Sequence, residues 1–152
     1  MLRREQLRDS LAQVQEFPDI ESQLIEGEGL DAILELLKNL RSVCFPCVVL
    51  EGRSSGSFQL VEGPVDTFTQ SLWVMGQLGR SENEAQLYDD MFSLAKKVLA
   101  KLLEDRKNGV SELMGWDWRS TSYMKRYGGQ NARGWEIVLT FRENVSLLYG
   151  EQ

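Results

Sequence analysis

The sequence predicts an α+β fold, a mainly antiparallel sheet covered by one long amphipathic helix, with an N-terminal helical segment in front of it. Three observations carry this prediction. Leu87, Met91, Leu94, Val98 and Leu102 recur at spacings of three and four, the apolar stripe of a helix running from about Glu82 to Lys107. The stretches Val65 to Met75 and Trp135 to Arg142 alternate between two faces and are rich in aromatic and β-branched residues, as strands are. The chain has 152 residues, 42% of them hydrophobic, the size of one domain able to bury roughly 70% of the surface its unfolded form exposes. A single domain over residues 1–152 is therefore expected, with residues 1–28 as a candidate helical N-terminal extension.

Taken in order, Arg3 to Phe17 places Leu7, Leu11 and Val14 at helical spacing, and the Phe17-Pro18 step discourages continuation. A second helix is predicted over Leu30 to Leu40, with Ile33, Leu34, Leu37 and Leu40 on one face and Gly27 and Gly29 in the acidic turn before it. Cys47 to Leu50 reads as a short buried strand, Gly52-Arg53-Ser54-Ser55-Gly56 as a polar turn, and Phe58 to Val61 as a second short strand broken by Gly63-Pro64. In Val65 to Met75, Phe68, Leu72 and Val74 share one side, and Thr69, Ser71, Trp73 and Met75 the other. Ser81-Glu82-Asn83-Glu84 has the form of a capping box for the long helix, with Ser81 as the cap. Asn108-Gly109, after the basic turn Arg106-Lys107, fits a left-handed stop. Ser120 to Tyr127 leads through the glycine-rich loop Gly128 to Gly134 into Trp135 to Arg142, a hairpin or two paired strands.

Composition narrows the function classes. There is no histidine, which removes Ser–His–Asp and Cys–His catalysis, histidine metal ligation and the usual proton shuttle near neutral pH. The expectation is a protein that is not an enzyme and uses no cofactor or metal. A net charge of −6 argues against nonspecific nucleic-acid binding. No apolar run approaches the ~20 residues of a membrane span, and the charged first residues lack a leader's apolar stretch, so the expected compartment is the cytoplasm.

Charge is unevenly placed. Glu16 to Glu35 holds seven acidic residues and no basic one, whereas Arg106 to Arg133 holds six basic residues and two acidic ones. The two segments are either solvated faces or complementary patches that meet between subunits.

Two motifs invite chemistry. Cys44-Phe45-Pro46-Cys47 has dithiol spacing, but it follows a helix and precedes a strand, the reverse of the thioredoxin order. Core packing and turn formation is the favoured reading, with a redox pair or a thiolate metal site as alternatives. In Gly115-Trp116-Asp117-Trp118-Arg119 a carboxylate stands between two indoles. It reads as an aromatic corner, as an interface anchor, or as the sugar platform of a carbohydrate-binding module. The loop Gly128 to Gly134 lacks the ending of a phosphate-binding loop and opens a strand. Trp116, Trp118, Arg119, Lys125, Arg126 and Arg133 form the candidate subunit interface.

The order and size of the elements from about Leu30 to Asn144 resemble those of the phage tail-terminator and head–tail completion proteins. The resembling features are the strand near Cys47 to Leu50, the strand Val65 to Met75, the helix Glu82 to Lys107 and the final β stretch ending in Trp135 to Phe141. The resemblance implies a ring-forming structural protein whose partners are copies of itself and tail or neck proteins. It implies no cofactor and no active site, while hydropathy and charge carry the expectation of no membrane and no specific nucleic acid.

Overall fold

The computed structural model describes residues 1–38, 43–60, 64–79, 83–129 and 131–144. Its helices are α1 (Arg4–Leu11), α2 (Ile20–Gln23), α3 (Leu30–Lys38) and α4 (Glu84–Lys107), and its strands are β1 (Leu24–Glu26), β2 (Cys47–Gln59), β3 (Val65–Gln77), β4 (Ser122–Gly128) and β5 (Ala132–Asn144). The strands form one sheet in the order β1-β2-β3-β5-β4, antiparallel throughout except for the parallel pair of β1 with β2. The fold is the α+β arrangement expected, a mostly antiparallel sheet with a long helix on one face and a helix at the N-terminus.

Alternation along the central strands assigns the faces. Val48 and Leu50 of β2, Phe68, Leu72 and Val74 of β3, and Ile137, Leu139 and Phe141 of β5 point into one core with the Leu87–Leu102 stripe of α4. Leu2, Leu7 and Leu11 share that core. The odd-numbered Cys47, Val49, Trp73 and Met75 turn to the other face, where Ile33 and Leu37 of α3 cover them. β2 and β3 are thus apolar on both sides where both faces are covered.

Residues 1–28 are consequently built into the molecule and not appended to it. Leu2 and Phe17 are buried, and the Gln70 side chain brackets Leu2, accepting from its N–H at 2.9 Å and donating to its carbonyl at 2.8 Å. Ser10 donates to Asp105, tying α1 to α4.

Several boundaries differ from the sequence reading. α1 stops at Leu11, six residues short of Phe17, and the chain then turns so that Val14 packs from outside a helix. The strand β1 and the short α2 were not predicted. Gly52 to Gly56 is not a turn but the middle of β2, and Phe58 belongs to that same strand. Two register shifts, between Leu50 and Arg53 and between Arg53 and Gly56, absorb the extra residues while pairing with β3 continues to Gln59↔Val65. Leu40, Val61, Gly63, Ser81, Glu82 and Gln130 lie outside the described residues.

The cap of α4 is Asn83, two residues beyond Ser81. Its Oδ1 accepts from the N–H of Ala85 at 2.9 Å and of Gln86 at 3.4 Å. The other end is as expected. Gly109 takes φ +86°, its N–H bonds the Arg106 carbonyl, and the Val110 N–H bonds the Asp105 carbonyl, so the last helical carbonyls are satisfied by a Schellman turn. Among the described residues no helix is long and apolar enough to cross a membrane.

Candidate subunit interface

Among the described residues, no strand pairs with the outer side of β4. β5 is longer than β4, and its far end is closed by another segment: the Asp117 N–H bonds the Thr140 carbonyl at 2.8 Å and the Arg142 N–H bonds the Gly115 carbonyl at 2.7 Å. These bonds fix the position of the Trp116-Asp117-Trp118 motif. Trp116 is swung into the core at 1% exposure, with its Nε1 donating to Thr121 Oγ1 at 3.1 Å, while Trp118 is 45% exposed. The two indoles therefore do not form one stacking platform. Asp117 accepts from Ser120 Oγ at 2.9 Å and serves the turn.

Pairing of Tyr123 with Ile137 and of Lys125 with Trp135 puts Tyr123, Lys125 and Tyr127 on the α4 side of β4. There they join α4 in an aromatic seam. Phe92 lies 5.0 Å from Tyr123 and 5.1 Å from Trp135, Tyr123 lies 5.6 Å from Trp135, and Trp135 Nε1 donates to the Tyr88 carbonyl. Lys125 Nζ sits 4.3 Å from the centre of the Tyr88 ring. Burial pushes the Tyr88 hydroxyl up from its ordinary range, partly opposed by Arg133. The seam is open on its outer side: Tyr123 and Tyr127 are 60% and 58% exposed. Met124, on the opposite face of the strand, is exposed as well.

The six residues named from the sequence divide accordingly. Trp118, Arg119 and Lys125 are on the surface. Trp116 and Arg133 are buried in the fold. Arg133 is 5% exposed, with its Nε donating to Glu84 at 2.9 Å and its Nη1 to the Gly129 and Ala132 carbonyls. Its guanidinium lies 3.8 Å from the Tyr127 ring. Arg126, half-buried, is held by Glu136 at 2.7 to 2.8 Å and faces the Trp73 ring. The sequence could not separate these roles, because spacing reports which face of β4 a residue takes but not what α4 brings to meet it.

Behind Arg126 lies a polar network that sequence reasoning missed. Glu136 also accepts from Ser71 Oγ at 2.7 Å, and Trp73 Nε1 donates to Glu51 at 2.7 Å. Burial raises the Glu51 carboxyl above its ordinary range. The Trp73 bond opposes this and the negative charge of Glu136 adds to it. These groups hold one another, and their residues come from β2, β3, β4 and β5.

The acidic segment is similarly partitioned. Glu16 pairs with Lys97, Glu21 with Arg4 and Arg8, and Glu35 with Lys38, while Glu28 accepts from the Gly52 N–H. The Glu16 carboxyl is held below its ordinary range by the bond from Lys97. Among the described residues, the carboxylates of Asp19, Glu26 and Asp31 have no cationic partner, and no ion pair joins this segment to Arg106–Arg133.

Cys44 and Cys47 are free thiols. Cys47 is fully buried between β2 and α3, and burial pushes its thiol up to about 12, the opposite of an activated nucleophile. Among the described residues, no group of three or more His, Cys, Asp or Glu side chains is placed to hold a metal ion. No protein-family model matches the chain, and no curated protein matches it.

Proposed function

We propose that this chain is a structural virion-assembly protein, similar to the phage tail-terminator and neck proteins, that acts through subunit–subunit contacts in a ring and not by catalysis. The observation that carries the reading is the β4 edge, unpaired on its outer side among the described residues, with its aromatic seam. Natural sheets blunt or cover a long edge, because its free backbone groups and apolar side chains recruit other chains. Here the edge carries Tyr123, Met124 and Tyr127 in the open. Trp, Tyr and Arg are the residue types that most often anchor protein interfaces. The burial of Cys47 weighs against a redox role for Cys44 and Cys47, and the separation of Trp116 from Trp118 weighs against a carbohydrate platform. In this reading the partners are further copies of the chain and tail or neck proteins, without membrane or specific nucleic acid, and assembly takes place in the cytoplasm, where both thiols stay reduced.

Sedimentation velocity and light scattering over a wide concentration range test this. The expected result is a closed oligomer of one defined size in exchange with monomer. A monomer at every concentration, with or without tail components, overturns it.

A further inference from the structure

Strand order puts β1 at one edge of the sheet and β4 at the other. α3 starts beside β1 and crosses the back of the sheet, so that a Cβ added at Gly128 in β4 would meet Leu37 at 2.9 Å. The corner where β1 passes into α3 is therefore at the edge remote from β4. That corner presents Glu26 and Asp31, both exposed and without a cationic partner among the described residues, around Leu30, an apolar side chain left 48% exposed. The β4 edge has the reverse make-up: Lys125, which no carboxylate meets among the described residues, lies between the exposed rings of Tyr123 and Tyr127.

We propose that the occupant of the β4 edge is the β1–α3 corner of a second copy of this chain, with Leu30 seated between Tyr123 and Tyr127, and Glu26 and Asp31 facing Lys125. The proposal rests on the assembly reading above and specifies its contact. The two surfaces are different and lie at opposite edges, so the interface is heterologous: each copy uses one surface in each direction, and a constant rotation closes the series into a ring. Two β4 edges facing each other would instead set Lys125 against Lys125, a like-charge contact that disfavours a two-fold dimer through this strand. The charges orient the encounter, and removing Leu30 and the two rings from water holds the contact.

The experiment compares wild type with Lys125→Glu and with the pair Glu26→Lys and Asp31→Lys by sedimentation velocity, alone and in equimolar mixture, with thermal melts to confirm folding. Each variant alone is expected to need at least tenfold more protein to associate, and the mixture to regain association, because each altered surface then has an opposite to face. Lys125 leans on the Tyr88 ring, so Leu30→Asp, at a surface position, is included as a variant with little claim on the fold, and it too should block association. Wild type that assembles while the variants assemble equally well overturns this contact and leaves the assembly reading standing. Variants that dissociate and do not recover in mixture overturn the pairing of the two surfaces. Wild type that stays monomeric overturns both. Retardation of a single-stranded oligonucleotide that Lys125→Glu abolishes assigns the edge to nucleic acid instead, and also overturns the proposal.

Discussion

Gly134 lies against Val74 so closely that a Cβ on it would stand 2.0 Å from the Val74 carbonyl oxygen. The clash is with backbone in the central β3–β5 ladder, where Met75 pairs with Gly134, and no rotamer change relieves it. Gly134→Ala is therefore expected to cost several kcal/mol, at the upper end of the ~0.5–3 kcal/mol usual for point mutants, or to prevent folding. Denaturant unfolding measures this. A variant as stable as wild type would mean that β3 and β5 are farther apart than described.

The α4 stripe gives a second prediction. Leu102 is fully buried and Met91 nearly so. Leu102→Ala should lower stability by ~2–5 kcal/mol, with Met91→Ala toward the smaller end because Met91 is the less completely buried of the two. An unchanged midpoint for Leu102→Ala would place the stripe in solvent.

The start of α4 discriminates between two caps. Asn83 accepts from two backbone N–H groups of the first turn, so Asn83→Ala should cost ~1 kcal/mol. Ser81→Ala is expected to cost less than Asn83→Ala. The reverse order in thermal melts would restore the capping box read from the sequence.

Thiol titration separates structure from redox chemistry. Cys44 is exposed and Cys47 buried, its thiol pushed up to about 12. A disulfide-exchange reagent near pH 8 should therefore modify one thiol per native chain and two after denaturation. Rapid reaction of both native thiols, or a reversible disulfide between them, would return the pair to the redox reading.

Glu51 predicts a pH dependence with a definite sign. Its folded-state carboxyl is raised above the unfolded value, chiefly by burial. The stability it contributes is complete below the unfolded value and is lost as pH rises through the folded one. At pH 7 the ionised Glu51 is thus a cost to the fold. Glu51→Gln keeps an oxygen for Trp73 Nε1 and should raise the melting temperature at pH 7. The gap should narrow as pH falls into the ordinary carboxylate range, where wild type protonates. A lower melting temperature for the variant at pH 7 would show that the ionised form is stabilised, contrary to the burial argument.

The legible parts of the fold are those where a period persists. α4 repeats its stripe over several turns, and β3 and β5 keep alternation through Phe68, Leu72 and Val74 and through Trp135, Ile137, Leu139 and Phe141. β1 spans only three residues between α2 and Gly27, too short to carry a period. In β2 the glycines and serines that signal a turn mark bulges in a continuous strand, since pairing with β3 outweighs local preference. At the Trp116–Trp118 motif, sequence could not tell an outward Trp118 from an inward Trp116. That difference is set by two backbone bonds to β5, from residues more than twenty positions away along the chain.

The β3–β5 ladder has a consequence for how the molecule comes together. Thirteen paired positions, from Val65↔Asn144 to Gln77↔Ala132, join strands between which the whole of α4 and β4 intervenes. The neighbouring β2–β3 and β4–β5 pairs are local hairpins, able to form early; the ladder between them must wait for a long loop to close, a step whose entropic cost slows folding. Until it closes, β3 and β5 each lack one neighbour. Two of the three strands that end inside the sheet thus keep a free side until that step, and a chain slowed there exposes their apolar residues to its neighbours.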